Sequence, residues 1–261
     1  MARILFLGDI VGRAGRAAVV EHIGSIREKE NLDLVIVNGE NAAGGSGITK
    51  AIAEELHAAG VDGITLGDHC WDQRGFDKEI AEIPYLCRPF NLFEGSPGLP
   101  HLILDVNGLR LAVFTVLGQT LMKISSAPAF PLIGNYLDSL RKECDAILVE
   151  MHAETTSEKV AMGWYLDGRV AAVIGTHTHI PTADARILPR GTGYLSDAGM
   201  SGPYDSVLGR DIAPILGRFV DGMPRRFSVA EENVQLCGAI FEVEQGKRGC
   251  QSFAPFRFIP Q

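Results

Sequence analysis

Short apolar runs alternate with segments of helical period through the first part of the chain. Arg3 to Leu7, Asp33 to Val37 and Gly63 to Leu66 read as strands, with helices over Ala17 to Lys29 and Thr49 to Ala59 between them. Crossovers of that length join parallel strands and are right-handed, so the pattern predicts a βαβαβ unit. After Arg88-Pro89 the pattern changes. Leu102 to Val106 and Leu109 to Val116 flank Asn107-Gly108, a strong two-residue hairpin signal. Alternation then resumes with a helix over Ile133 to Glu143, a strand over Ala146 to Val149, a helix from about Thr156 and a strand over Val170 to Ile174. Beyond Ala185 the pattern is mostly β. Strands are predicted at Ala185 to Leu188, Gly193 to Leu195, Arg226 to Val229, Gln235 to Val243 and Gln251 to Phe258, with one helix over Ile212 to Val220. These segments predict an α/β fold with two sheets.

Composition narrows the class. The 261 residues are 46% hydrophobic and 21% charged, which excludes a chain that is mainly disordered. No repeat, low-complexity tract or linker divides the sequence, so residues 1–261 are read as a single domain. Lys and Arg number 24 against 32 Asp and Glu, a net charge of −8, which opposes a broad nucleic-acid-binding surface. It does not oppose a phosphorylated small molecule, because bound metal ions add positive charge that a residue count omits. The five cysteines, Cys70, Cys87, Cys144, Cys237 and Cys250, include no C-x-x-C pair and suggest a reducing compartment. The first apolar run is cut at Gly8-Asp9, and no later run approaches the ~20 residues of a membrane span. A cytoplasmic protein without a membrane partner is expected; homo-oligomer formation stays open.

The chemistry lies immediately after five of the apolar runs. Phe6-Leu7-Gly8 leads to Asp9, Ile36-Val37-Asn38-Gly39 to Glu40-Asn41, and Thr65-Leu66-Gly67 to Asp68-His69. Leu148-Val149-Glu150-Met151 leads to His152, and Val173-Ile174-Gly175-Thr176 to His177-Thr178-His179. In an open α/β sheet the carboxyl ends of parallel strands face one crevice, so groups scattered in sequence converge there. Carboxylate oxygens mixed with imidazole nitrogens suit Mn, Fe or Zn rather than a calcium cage or a thiolate site. Seven candidate ligands (Asp9, Glu40, Asn41, Asp68, His152, His177 and His179) are too many for one four-coordinate ion and suit two, with Glu40 as the shared carboxylate. Taken singly, Asp9 could be a loop or cap residue and His152 a hydrogen-bonded core histidine. Five coincidences weigh against that reading, because ionisable groups at strand ends are costly unless paired or ligating.

Gly8-Asp9, Gly39-Glu40-Asn41, Gly67-Asp68-His69, Met151-His152 and Gly175-Thr176-His177-Thr178-His179 resemble, in this order, the signature blocks of the calcineurin-like metallophosphoesterases. The stretches Asn38 to Ala43, His152 to Lys159 and Gly199 to Asp205 resemble the bacterial YmdB-type branch of 2',3'-cyclic nucleotide phosphodiesterases, and the resemblance runs nearly end to end. It implies two facing mixed β-sheets flanked by helices, a four-layer metallophosphoesterase sandwich, with the metals at the strand ends. One ion would be held by Asp9, Glu40, Asn41 and His179, the other by Glu40, Asp68, His152 and His177. His69 would be the proton donor to the leaving oxygen, and two ions, Fe or Mn, would generate the attacking hydroxide. A small phosphodiester, and a 2',3'-cyclic nucleotide in particular, is the implied substrate.

Two positions depart from the wider superfamily. Asp9-Ile10-Val11 lacks the usual Asp-x-His, and Asn41 stands in for that histidine, as in the YmdB-type branch. Gly67-Asp68-His69 replaces the usual Gly-Asn-His, so three carboxylates face the four positive charges of two divalent ions. That weakens attraction for an anionic substrate unless one ion is trivalent or a nearby arginine compensates. Two other readings stay open: a different metal-dependent hydrolase, such as a barrel-type amidohydrolase, and a non-catalytic regulatory protein that keeps the metal site. Among the remaining candidates, Gly44-Gly45-Ser46-Gly47 is a flexible loop or a phosphate cradle. Trp71 and Trp164 are core aromatics or base platforms, with core packing the preferred reading. Arg88, Arg186 and Arg190 are possible phosphate contacts that nothing places. His22, His57 and His101 read as structural or exposed.

Overall fold

The computed structural model describes residues 1–260. Its strands form two mixed sheets. In the first, β1 (Ala2–Leu7), β2 (Leu34–Asn38), β3 (Gly63–Thr65) and β4 (Leu86–Cys87) run parallel in that order. Beyond β1 the antiparallel β12 (Val234–Val243) carries β11 (Gly202–Pro203) and β13 (Cys250–Phe258). In the second, the parallel core of β6 (Leu109–Leu117), β7 (Ala146–His152), β8 (Ala172–Thr176) and β10 (Gly193–Leu195) has antiparallel edges, β5 (Leu102–Val106) and β9 (Arg186–Ile187). The β5–β6 hairpin turns at Asn107 and Gly108, both with positive φ (53° and 78°), as a two-residue primed turn requires.

The strands are apolar on both faces because both faces are covered. In β1, Ile4 and Phe6 face the second sheet, where they meet Leu111, Val113, Leu148 and Ile174. Leu5 and Leu7 point the other way, against Val19, Ile23 and Ile26 of α1 (Gly12–Glu30) and Ala53 and Leu56 of α2 (Lys50–Ala58). The second sheet repeats the arrangement: Phe114, Val116, Val149 and Val173 pack on Ile133 and Leu137 of α4 (Ala129–Leu140) and Met162 and Leu166 of α5 (Thr156–Leu166). The layers are therefore helix, sheet, sheet, helix, and the two open sheets are not the closed barrel of the amidohydrolase reading.

Several predicted boundaries are corrected. Helix α1 begins at Gly12, not Ala17, because the Gly12 N–H is taken by Asn41 O and Gly15 lies against the Ser201 carbonyl, contacts that outweigh the low helix propensity of glycine. Helix α4 spans Ala129–Leu140, starting four residues and ending three residues earlier than its periodicity suggested. Arg226 to Val229 forms no strand; Val229 makes only an isolated bridge to Arg210. The short α3 (Phe76–Glu79), β4 and β11 lack the length to show a period, while α6 (Ile212–Asp221) lies where a helix was expected. No helix among the described residues is long and apolar enough to cross a membrane, and the five cysteines are unpaired.

Candidate metal centre

The two sheets present the same ends to one crevice, and each brings a different chemistry. The first sheet supplies oxygen donors, with Asp9 after β1, Glu40 and Asn41 after β2 and Asp68 after β3; the second supplies imidazoles, with His152 ending β7 and His177 and His179 after β8. Donor atoms of Glu40, Asp68, His152 and His177 all lie within 4.8 Å of one another. His152 Nε2 is 3.0 Å from Asp68 Oδ1 and 3.3 Å from Glu40 Oε1, and His177 Nδ1 is 3.2 Å from Asp68 Oδ1. Alongside, His179 Nε2 is 3.1 Å from Asn41 Oδ1 and 3.4 Å from Asp9 Oδ2. Asp9, Glu40 and His152 are buried, and Gly67 makes room for them: a Cβ there would collide with the Glu40 carboxylate and the His152 ring.

The far side of each imidazole is tied. His152 Nδ1–H donates to Thr176 Oγ1 (2.9 Å), whose hydroxyl donates to Glu150 Oε1 (2.7 Å). Buried Glu150 also accepts from Asn38 Nδ2 (2.5 Å) and Thr115 Oγ1 (2.8 Å). Burial opposes its ionisation but is outweighed by His152 and by hydrogen bonds from Thr65 and Asn38, so its carboxyl stays below the usual range. His179 Nδ1–H donates to Leu208 O (3.1 Å), and His177 Nε2 meets Glu154 Oε2 at 3.0 Å. Each tie fixes a tautomer and leaves the opposite nitrogen facing the cluster. His177 and His179 both adopt positive φ (92° and 64°), a conformation that costs on the order of 1–3 kcal/mol for a non-glycine residue. The buried Lys159–Asp197 pair holds that loop: Lys159 Nζ donates to Thr176 O, Thr178 Oγ1 and Asp197 Oδ2, and Thr178 N–H donates to the same carboxylate oxygen.

The donor set fits metal ions. Asp9 Oδ1 is buried with no hydrogen-bond partner among the described residues, an orphaned acceptor of the kind a cation satisfies. Burial raises the Asp9 carboxyl well above its usual range; His152 opposes the shift and Glu40 adds to it. Burial likewise disfavours charge on Asp68, but hydrogen bonds from His152 and His177 outweigh it and hold that carboxyl far below the usual range. For His152 burial is outweighed by Glu40, Asp68 and Glu150, which drive its pKa up, whereas burial dominates at His179 and lowers it. So much negative charge at low dielectric calls for compensating cations.

His69 sits beside this cluster. Its Nδ1–H donates to Asp72 Oδ2 (2.6 Å), Ser46 Oγ lies 3.2 Å from Nδ1 and also bonds Asp72, and its backbone N–H donates to Glu40 Oε2 (3.2 Å). Nε2 is thereby left as the nitrogen available to a substrate. Arg210 lines the same cavity as Glu40, Asn41, His69, His177 and His179, its guanidinium held by Gly44 O and Gly45 O.

Asp72, Glu154 and Arg210 were not singled out for roles in the sequence. Glu154 lies inside the conspicuous stretch His152 to Lys159 and Asp72 three residues after His69, whereas Arg210 lies in the β-rich C-terminal half and has no local signal. The arginines that were considered lie elsewhere: Arg88 bonds Pro89 O and Ser96 O, Arg186 lies over the Trp164 ring and Arg190 is at a turn held by Asp167. The glycine-rich loop does not offer a free cradle at Gly45 and Ser46, whose N–H groups donate to Asn41 O and Ala43 O. Trp164 is half exposed rather than in the core. His57 is structural, stacked on Tyr85 with its Nδ1 against Val61 O.

Two facing mixed sheets with carboxylate, amide and imidazole groups gathered at their ends are the fold of the metallophosphoesterase-type phosphatases. The sequence model of the family described as YmdB-like protein matches residues 5–256, and the chain belongs to that family. It is 44% identical to a Bacillus subtilis (strain 168) protein named 2',3'-cyclic-nucleotide 2'-phosphodiesterase, over 93% of this chain and 91% of the relative. Among solved structures, a phosphatase from Mycoplasma pneumoniae superposes with a TM-score of 0.93 at 34% identity, covering 99% of this chain and 93% of that one. A hypothetical protein from Thermus thermophilus superposes with a TM-score of 0.92 at 38% identity, covering 99% of this chain and 100% of that one.

Proposed function

We propose that this single-domain protein is a dinuclear metal-dependent phosphodiesterase acting on small phosphodiesters, 2',3'-cyclic nucleotides above all. The observation that carries the reading is the convergence of Glu40, Asp68, His152 and His177 donor atoms within 4.8 Å beside the orphaned Asp9 Oδ1. Asp9, Glu40, Asn41 and His179 would hold one ion and Glu40, Asp68, His152 and His177 the other. Oxygen and imidazole donors suit iron or manganese. When bound, two such cations make hydroxide available near neutral pH and neutralise charge on the phosphoryl oxygens.

The protein's own residues do the rest. Arg210 adds a positive charge at the cavity wall, offsetting the extra carboxylate that Asp68 introduces. His69, oriented by Asp72 and Ser46, delivers the Nε2 proton to the departing oxygen. The name of the Bacillus subtilis relative supports the cyclic-nucleotide substrate. Five unpaired thiols fit a reducing, cytoplasmic setting.

Metal analysis coupled to a panel of phosphoesters tests this. Two ions per chain are expected, with hydrolysis of an aryl phosphodiester and a 2',3'-cyclic nucleotide exceeding that of phosphomonoesters. A fully loaded preparation holding one ion would overturn the dinuclear assignment. Two ions without hydrolysis of any ester would favour a metal-binding regulatory protein.

A further inference from the structure

Two cavities meet at His69. One, of about 240 Å³, contains Glu40, Asn41, His177, His179 and Arg210. The other, of about 380 Å³, is walled by Asp68, His69, Trp71, Asp72, Lys123 and Ile124. We propose that the second cavity is a nucleobase subsite in which Trp71 is the stacking platform. The proposal rests on the phosphodiesterase reading above. In that reading the phosphoryl group lies in the first cavity, and the leaving oxygen, which joins phosphorus to the departing group, lies within reach of the acid that protonates it. The leaving side of His69 is then the Trp71 side, and a nucleoside attached through that oxygen projects its base into the larger cavity.

Trp71 and Ile124 give the second cavity an apolar face among otherwise ionisable walls. Trp71, Met122 and Ile124 all pack, partly buried, against the core between the first sheet and its helices, so the indole is already ordered before a ligand arrives. An aromatic side chain fixed in this way loses little conformational freedom on stacking. Trp71 also lies three residues after Asp68 and two after His69, with the buried Cys70 between acid and platform. Metal donor, acid and platform therefore share one short stretch of chain, which sets their spacing. Lys123, which forms no ion pair among the described residues, offers an N–H donor at the cavity's rim for a ring carbonyl or nitrogen. A planar heterocycle with acceptor atoms on its edge matches these walls; stacking by itself is tolerant of base identity, since every base has a π-face.

The test compares Trp71→Ala and Trp71→Phe on 2',3'-cyclic AMP and on a base-free ribose 2',3'-cyclic phosphate. Trp71→Ala is expected to raise KM for the nucleotide roughly tenfold or more, the usual scale of a lost base stack. It should leave kcat/KM for the base-free ester within about twofold, a result that also reports an intact fold. Trp71→Phe should recover most of the loss. In a Trp164→Phe background, where Trp71 is the remaining tryptophan, 3'-AMP should quench indole fluorescence saturably. Equal losses on both esters, or competitive inhibition by 3'-AMP without quenching, would overturn the subsite and leave the phosphodiesterase reading standing. If neither ester is hydrolysed, the phosphodiesterase reading fails, and the quenching experiment alone decides the subsite: saturable quenching supports it and none overturns it.

Discussion

Asp68 and His69 are adjacent, yet their side chains have different surroundings. Asp68 is within 3.2 Å of two imidazoles, whereas His69 turns its Nδ1 to Asp72. Their substitutions should therefore separate. His69→Ala is expected to retain both metals and lose turnover by roughly 10²- to 10⁴-fold, with the loss shrinking for an aryl ester whose leaving group needs little protonation. Asp68→Asn should keep activity or raise it, because one negative charge leaves a site that receives an anion. Metal content and rates on an activated aryl diester and an alkyl diester check both. Equal slowing of the two substrates by His69→Ala would count against the acid role. Glu40 has its two oxygens on different partners, Oε1 toward His152 Nε2 and Oε2 toward the His69 backbone N–H. Glu40→Ala should lower the content of both ions, read by metal analysis, more than the loss of any terminal ligand does.

At the scale of elements, β7 and β8 aim the His152 imidazole through a hydroxyl shared between them. Thr176 on β8 accepts from His152 on β7 and donates to Glu150 two residues earlier. Thr176→Val keeps the shape of the side chain and removes both bonds, leaving the His152 Nδ1–H without its acceptor in a buried site. A stability loss of about 1–3 kcal/mol is expected in denaturant unfolding. Metal affinity should fall by roughly 10- to 100-fold, the usual effect of losing an outer partner of a ligating histidine. Thr176→Ser, which retains the hydroxyl, should restore most of the affinity, and an unchanged affinity in Thr176→Val would exclude the hydroxyl as the device that orients His152.

For the whole molecule, the cluster joins the two sheets, because its oxygen donors come from one and its imidazole nitrogens from the other. A cation bound there links both halves of the fold and binds the folded state far more tightly than the unfolded chain, where the donors are dispersed. Chelation should therefore lower Tm, and re-addition of metal should raise it again with a dependence on free metal concentration. Glu40→Ala should abolish most of that difference. Calorimetry with and without chelator measures it, and equal Tm values for loaded and stripped protein would mean that ion binding is not coupled to the join between the sheets.

The strand-end pattern was legible in the sequence because parallel strands place their carboxyl ends on one edge, so Asp9, Glu40 and Asp68 could be expected to gather at one edge, as could His152 and His177. The Asn107-Gly108 hairpin was legible for a local reason, since the turn demands two residues that tolerate positive φ. The start of α1 at Gly12 was not, because its cause is contact with Asn41 and Ser201, distant in the chain. The same holds for the strand expected at Arg226 to Val229, whose apolar and β-branched residues found no neighbour to pair with beyond one bridge. Arg210 at the cavity, Thr176 between Glu150 and His152, and the cavity wall shared by Trp71, Lys123 and Ile124 arise from contacts between distant segments and leave no local trace. Periodicity encodes which face of an element is buried, so the alternation of strands and helices and the groups at the strand ends follow from the order of residues. Periodicity carries no record of which buried faces will meet, and the apposition of an oxygen-bearing sheet with an imidazole-bearing one arises only when the two apolar faces, with Phe6 against Val113 and Leu148, close on each other.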